Sequence, residues 1–137
     1  MIRQLIEEAQ QIQRQVNADC QQLALAREKQ KDAARAHQLA KRDYEDAEGE
    51  FLYRLELSGA VNGGNADQRK AQRNALLIEA RGNGSLSPAD TRVGIAVNDL
   101  LTADLKFEQC KDRFIATRAV SELQAAMLMA VSGVKET

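Results

Sequence analysis

The sequence of 137 residues lacks the side chains from which aromatic cores and many active sites are built. It has no tryptophan, one proline, one histidine and two cysteines, and aromatic residues make up 4% of the chain. Any core must therefore be filled by leucine, alanine, valine and isoleucine, which favours packed helices. A single histidine without a Cys-x-x-Cys pair argues against the usual zinc sites. We therefore predict no metal, no cofactor and no catalytic residues, in a protein that is not an enzyme.

A strong charge of either sign and a long apolar run are also missing. The 19 basic and 20 acidic residues nearly cancel, so the net charge would not attract the chain to nucleic acid or to an anionic membrane. The most apolar stretch, 119–134, contains four polar residues and is shorter than the roughly 20 residues that span a bilayer. Residues 1–4 do not resemble a signal peptide, and Cys20 and Cys110 suit reduced thiols. These features predict a cytoplasmic protein without a membrane partner.

The chain is instead rich in apolar and small residues at helical spacing. In the stretch 2–57 most gaps between them are three or four, which is typical of a narrow seam facing another helix. The spacing slips between Val16 and Leu23, which predicts a local stutter, and Gly49 is a second place where the helix is expected to bend. The predicted seam consists of Ile2, Leu5, Ala9, Ile12, Val16, Cys20, Leu23, Ala26, Ala33, His37, Ala40, Tyr44, Ala47 and Phe51.

A glycine-rich bend follows the first helix and leads into a short second one. Residues 58–64 include three glycines, which supply the positive φ angles that end helices. Asn65 with Gln68 three residues later forms a capping-box variant, and Gly82 is a stop signal. The sequence therefore predicts a short helix over about 66–81.

A third helix is predicted over about 88–131. Ser87 is read as its N-cap, Pro88 as its first residue and Asp90 as an acid in its first turn. Its apolar residues are three or four apart, namely Val93, Ala96, Leu100, Ala103, Phe107, Cys110 and Phe114. Together the three helices predict an all-α single domain over 1–137, an elongated, coiled-coil-like antiparallel hairpin with the short helix near its bend.

Three features admit both a chemical and a structural interpretation, and the structural one is favoured each time. His37 lies on the seam and is read as an interface or core histidine, since no nucleophile or carboxylate partner is indicated. The acidic run 43–50 lacks the Glu-x-x-His pairs of a di-metal site and suits solvated ion pairs. The loop 62–65 lacks the Gly-Lys-Ser/Thr ending of a phosphate loop, so it is read as a turn that joins helices.

Two basic clusters leave a nucleic-acid partner open. One lies in the first half of the second helix, where positive charge opposes the helix dipole, and the other repeats every four residues on the first helix. Both arrangements lower the stability of the helix slightly unless a bound anion compensates for the repulsion. No aromatic residues are interleaved for base stacking, however. The candidate nucleic-acid-binding residues are Arg69, Lys70 and Arg73, with Arg27, Lys31 and Arg35 as secondary members.

Some apolar residues remain after both long helices have been paired. Two rods bury only one stripe each against one another, so these residues need another surface. They predict a homo-oligomer or contact with another protein. The candidate interface residues are Val97, Leu101, Ile115, Met127, Leu128 and Met129.

Parts of the sequence resemble small helical proteins encoded in the early regions of bacteriophages and prophages. The resemblance rests on Asn65-Ala66-Asp67-Gln68-Arg69-Lys70-Ala71, on Leu76, and on the stretch from Leu100 to Leu123, and it covers about half the chain. It implies a setting of recombination, replication or host-defence inhibition and supplies no active site. We therefore expect a non-enzymatic interaction or assembly protein that acts on a host or phage nucleoprotein machine. A nucleic-acid-binding accessory protein is the alternative.

Overall fold

A computed structural model describes the backbone of residues 2–136 and the side chains of residues 2–133. Within these residues the chain forms three helices and no strand, α1 at Ile2–Leu57, α2 at Ala66–Asn83 and α3 at Ala89–Glu136. The predicted all-α helical hairpin is confirmed, because α1 and α3 pack against each other in antiparallel directions. Val134, the last residue of the apolar stretch discussed above, has its side chain outside the described part.

Contacts divide the chain into two compact units. The first unit comprises Met1–Lys31 and Thr102–Thr137, and the second unit comprises Asp32–Leu101. The first unit therefore contains the beginning of α1 and the larger part of α3. The second unit contains the end of α1, all of α2 and the beginning of α3.

In the first unit the seam of α1 follows an unbroken heptad pattern. The side chains turned toward α3 are Ile2, Leu5, Ala9, Ile12, Val16, Asp19, Leu23, Ala26 and Gln30, with gaps that alternate between three and four. The predicted stutter is therefore wrong. Asp19 is only 4% exposed and takes the place that the sequence analysis gave to Cys20, which is exposed. The apolar spacing looks irregular around residue 20 because a polar residue, Asp19, occupies that seam position, and the heptad itself does not slip.

The α3 side of the same seam is apolar from Phe107 to Phe114, polar in its middle and apolar again near its end. Phe107, Cys110 and Phe114 are buried or half-buried, as predicted. Beyond them the seam continues with Thr117, Ser121, Gln124, Leu128 and Val131 at the same spacing. Among the described residues of this unit, only Asp19, Ala26 and Cys110 are buried, with 4%, 4% and 5% exposure. The first unit therefore has a core without any large buried apolar side chain.

The second unit is better filled because α2 packs beside α1. Its buried residues are Leu77, Ala80, Leu86, Ala89 and Ala96. Arg81 Nε donates a hydrogen bond to the Tyr44 hydroxyl at 2.8 Å, and its Nη2 lies 3.5 Å from Glu48 Oε2. These two partners raise the pKa of the Arg81 guanidinium above its usual value. Arg81 thus holds α2 on α1 with a charge that is fixed across the working pH range.

Glycines end α1 and α2, although the second one is not the residue predicted. α1 runs through Gly49 without a break and is closed by Gly59 at φ 77°, where the Ala60 amide donates to the Leu55 carbonyl at 3.1 Å. α2 continues through Gly82 to Asn83 and ends at Gly84, which also has φ 77°. The expected stop at Gly82 is therefore wrong by two residues, since only Gly84 adopts the left-handed conformation.

The start of α3 also differs from the prediction by one residue. The Ser87–Pro88 peptide bond is cis, and the helix begins at Ala89 instead of Pro88. Asp90 lies in the first turn, as predicted, where its negative charge favours the positive end of the helix dipole. The helix extends to Glu136, five residues past the predicted end.

Candidate interaction surface

Two polar contacts join α1 to α3 inside the seam of the first unit. Asp19 Oδ2 accepts a hydrogen bond from the Thr117 hydroxyl at 2.6 Å, and its Oδ1 accepts one from Gln15 Nε2 at 2.9 Å. Gln30 Nε2 donates to Asp104 Oδ1 at 2.7 Å. Polar residues at such positions fix the register of a coiled coil at a cost in stability. These pairs therefore set which residues of α1 and α3 meet.

The exposed surface of α1 in this unit is mostly polar. From Arg3 to Asn17 the residues opposite the seam are charged or carry an amide, and all of them are exposed, namely Arg3, Gln4, Glu7, Gln10, Gln11, Arg14 and Asn17. Two large apolar residues of this part of α1 are also exposed, Ile6 at 46% and Leu25 at 55%. They are isolated and form no continuous row.

The outer face of α3 in the same unit is apolar. A row of exposed residues, here called the outer stripe, consists of Ala116, Ala119, Val120, Leu123, Ala126, Met127 and Ala130. Val120 is 51% exposed, Leu123 63% and Met127 47%. Because Ala116, Ala119, Leu123, Ala126 and Ala130 repeat with gaps of three and four, α3 carries a second seam on the side away from α1.

Charge is nearly absent along the outer stripe. Between residues 115 and 133 only Arg118 and Glu122 are charged. They lie at its border and pair with each other, with Arg118 Nε 3.4 Å from Glu122 Oε1. The stripe therefore offers a partner apolar contact with little electrostatic penalty.

The interface residues predicted from the sequence fall into three groups. Ile115, Met127 and Met129 are exposed in the first unit, and Val97 and Leu101 are exposed in the second. Leu128 is different, since it is half-buried and lines a cavity of about 120 Å³ with Ala9 and Ile12. Its side chain therefore lies on the seam with α1 and not on the outer stripe.

The most regular part of this surface is not among the residues predicted from the sequence. Leu123, Val120 and the four alanines of the outer stripe were not singled out. The signal was present in the 3-4 spacing from Ala116 to Ala130, which runs parallel to the seam already identified on the same helix. Alanine is a weak marker of a contact face because it also has the highest helix propensity and therefore suits any position of a helix.

The main basic cluster has partners within the second unit. Arg73 Nη2 lies 2.6 Å from Glu56 Oε1, and its Nε donates to the same oxygen at 2.9 Å. Arg69 Nη1 donates to the Gly63 carbonyl at 3.3 Å. Lys70 is exposed. Two of these three cations are therefore engaged in holding α2 and the loop before it.

The secondary basic residues have local contacts as well. The Arg27 guanidinium lies 5.7 Å from the centre of the Phe107 ring, a cation–π contact across the seam of the first unit. In the second unit Arg35 Nη1 is 4.0 Å from Asp32 Oδ1. Lys31 is exposed in the first unit. The small electrostatic costs inferred from spacing are thus partly offset within the chain.

The loop before α2 is filled by glutamine side chains. Gln72 Oε1 accepts hydrogen bonds from the Asn62 and Gly63 amides at 3.0 and 2.9 Å, and Gln68 Oε1 accepts one from the Gly64 amide at 2.8 Å. These are the backbone groups that would hold an anion. The interpretation as a turn that joins helices is therefore supported, as is the Asn65 cap, whose Oδ1 accepts from the Gln68 amide at 2.8 Å.

The remaining candidates form no catalytic arrangement in the part of the chain that the structure describes. His37 is half-buried on the α1 seam of the second unit. In the acidic run, Glu50 Oε1 is 2.5 Å from Arg54 Nη2 and Glu48 pairs with Arg81. No group of three or more histidine, cysteine, aspartate or glutamate residues with metal-binding geometry occurs in the described residues.

By length and composition α3 meets the criterion for a helix that crosses a membrane. An 18-residue window within Ala89–Gly133 has a mean hydropathy of 1.3, and none of that window is buried. Helices that pack on other proteins meet the same criterion, so the expected absence of a membrane partner stays a prediction. The finding agrees with the outer stripe in showing that α3 exposes apolar surface.

Comparison with known proteins adds no relative. No protein-family model, no curated protein and no solved structure matches the chain. The observations that bear on function are therefore the outer stripe of α3 and the partners of the basic residues.

Proposed function

We propose that this protein is a non-enzymatic interaction and assembly protein that presents the outer stripe of α3 to another helical protein. The observation that carries the proposal is the row formed by Val120, Leu123 and Met127, each about half exposed or more. Contiguous apolar surface of this kind marks sites of contact in soluble proteins. Its heptad spacing matches the surface of a second helix.

The composition of the first unit supports the same proposal. Its buried described residues are Asp19, Ala26 and Cys110, and its large apolar seam residues, such as Leu23 and Phe107, are only half-buried. Covering the 63% of Leu123 that is exposed contributes about 1–2 kcal/mol. A partner on the outer stripe would therefore supply burial that the seam lacks.

A protein partner is better supported than nucleic acid. Arg73 and Arg69 hold Glu56 and the Gly63 carbonyl, and using them for phosphate would first require these contacts to break. The outer stripe offers no cation for phosphate and no aromatic ring for stacking. The resemblance to phage and prophage proteins suggests the setting, an accessory protein in the cytoplasm that acts on a nucleoprotein machine.

Site-specific photocrosslinking in bacterial cells that carry the gene tests this proposal. A benzophenone amino acid replaces Leu123 in one variant and Leu105 in the control, because the two leucines lie on α3 in the first unit and are 63% and 62% exposed. We expect a discrete protein adduct from position 123 and little from position 105. Equal or absent adducts at the two positions would reject the proposed interaction surface.

A further inference from the structure

We propose that the partner of the outer stripe is a second copy of this chain, with the two α3 helices packed antiparallel about a two-fold axis at Leu123. The inference rests on the proposed function and names its partner. A two-fold interface uses the same patch on both copies, so the patch must be complementary to itself. The outer stripe has this property.

The order of large and small residues along the outer stripe is self-complementary in the antiparallel direction. With Leu123 at the axis, Val120 lies three residues before it and meets Ala126 three residues after it in the other copy. Ala119, four residues before the axis, meets Met127 four residues after it. Each large side chain except Leu123 therefore faces an alanine, which is how helix faces interdigitate without voids.

The ends of the outer stripe fit the same arrangement. Ala116 and Ala130 lie seven residues on either side of Leu123 and would face each other across the axis. Two alanines in contact allow the helix axes to approach to about 8 Å, the short end of the usual range. A parallel pairing would set Val120 against Val120 and Met127 against Met127, and the alanine layers between them would be left poorly filled.

The outer stripe has uncovered apolar surface along its whole length. Val120, Leu123 and Met127 are 51%, 63% and 47% exposed, and the four alanines between and beside them are exposed as well. A standard interface takes about 800 Å² from each partner. The stripe and its flanking residues, among them Ile115 and Met129 at 55% and 75% exposure, are available to supply that area.

A lipid surface fits the outer stripe less well. Helices that lie on membranes carry large apolar residues on one face and a rim of lysine and arginine on the other. Four of the seven stripe residues are alanine, which gain little from lipid, and the border holds one arginine already paired with Glu122. The stripe therefore favours close packing on a helix.

Sedimentation of the purified full chain tests for the dimer. We expect the mass of two chains at tens of micromolar. Leu123→Glu places two carboxylates against each other at the axis and should weaken dimerisation on the order of 100-fold. Leu105→Glu is the matched control, and it should sediment like the unaltered protein. Because both leucines are exposed within one copy, helicity measured by circular dichroism should stay the same in both variants.

Cysteine crosslinking tests the direction of packing. In a Cys20→Ser background, Leu123→Cys should form an intermolecular disulfide on mild oxidation, because its α-carbon would lie beside its own counterpart. Ala130→Cys should not, since antiparallel packing separates the two copies of that residue by about 21 Å along the axis. Efficient self-crosslinking through both positions would indicate parallel packing and overturn the proposed arrangement.

The outcomes separate this inference from the proposed function. A monomer at 100 µM, or a dimer that Leu123→Glu leaves intact, overturns the inference, whereas a photocrosslinked adduct with a different protein at position 123 would still support the function. A monomer that floats with phosphatidylcholine vesicles and loses this binding on Leu123→Glu overturns both and assigns the outer stripe to lipid.

Discussion

At the scale of the residue, Asp19 determines how α1 meets α3 in the first unit. Its carboxylate is 4% exposed and accepts hydrogen bonds from Gln15 and Thr117. Burying a polar group is costly unless its hydrogen bonds are made, and removing one partner leaves that cost uncompensated. An error in register would separate Asp19 from Thr117, so the pair penalises every alternative alignment.

A double-mutant cycle measures this contribution. We expect Thr117→Val to lower the free energy of unfolding by about 1–3 kcal/mol, because it leaves a buried carboxylate oxygen without its donor. Asp19→Leu combined with Thr117→Val should recover most of that loss, since an apolar pair has no desolvation cost. Urea unfolding of the two single variants and the double variant provides the values. A double variant as unstable as the sum of the single ones would contradict a coupling between these residues.

The error at Asp19 shows what periodicity alone can predict. The spacing identified nearly every seam residue of α1 and the seam of α3 as far as Phe114, because apolar side chains mark the buried side of a helix. It did not identify the polar seam residues that follow, such as Thr117. Between Val16 and Leu23 the rule chose Cys20 over Asp19 because cysteine is the more apolar. The hydroxyl that makes an aspartate acceptable there belongs to Thr117 on another helix, and local sequence does not contain that information.

The two glycines at the end of α2 provide a second prediction at this scale. Gly82 lies inside the helix, and an added Cβ would meet no atom within 4 Å, so Gly82→Ala should raise the free energy of unfolding by about 0.5–1 kcal/mol. Gly84 has φ 77°, and Gly84→Ala should lower it by about 1 kcal/mol. Thermal unfolding of the two variants compares them. If both substitutions changed the free energy of unfolding in the same direction, Gly84 would not be the glycine that ends α2.

At the scale of the element, α2 is fastened to α1 by charged side chains and by a few buried apolar ones. Arg73 reaches Glu56 and Arg81 reaches Tyr44 and Glu48, all of them contacts between residues far apart in the chain. The sequence predicted α2 and its N-cap from local signals, but it interpreted the charge of Arg73 as a sign of an anionic ligand. A basic residue whose partner lies on another helix has the same local appearance as one that binds phosphate.

Substituting Arg73 and Lys70 distinguishes a role of the basic cluster in stability from a role in binding nucleic acid. Arg73→Ala should lower the free energy of unfolding by about 0.5 kcal/mol, a small value because the ion pair is partly exposed and screened by water. Lys70→Ala, an exposed cation on the same helix, should leave stability unchanged. If the cluster bound nucleic acid, both variants would weaken DNA retardation at low salt by similar amounts. We expect no retardation by the unaltered protein.

At the scale of the whole molecule, the distribution of apolar residues is uneven in a way that dimerisation would explain. The second unit buries Leu77 and Leu86, whereas the first unit buries no large apolar side chain among its described residues and exposes the outer stripe. The stability of the first unit should therefore depend on whether the stripe is covered. If the stripe is covered by a second copy, the stability of the first unit depends on protein concentration, because only the folded chain associates.

Thermal unfolding at two concentrations provides the corresponding test. Raising the concentration from 1 to 100 µM should raise the Tm of the unaltered protein by roughly 5 °C, because mass action stabilises a folded dimer against unfolded monomers. Leu123→Glu should abolish this dependence and should lower the Tm most at the higher concentration. Leu105→Glu should retain the full dependence, which separates the loss of association from a general effect of a new carboxylate on α3. A Tm that is the same at both concentrations for the unaltered protein would contradict a dimer and would mean that the folded chain is stable without a partner on the outer stripe.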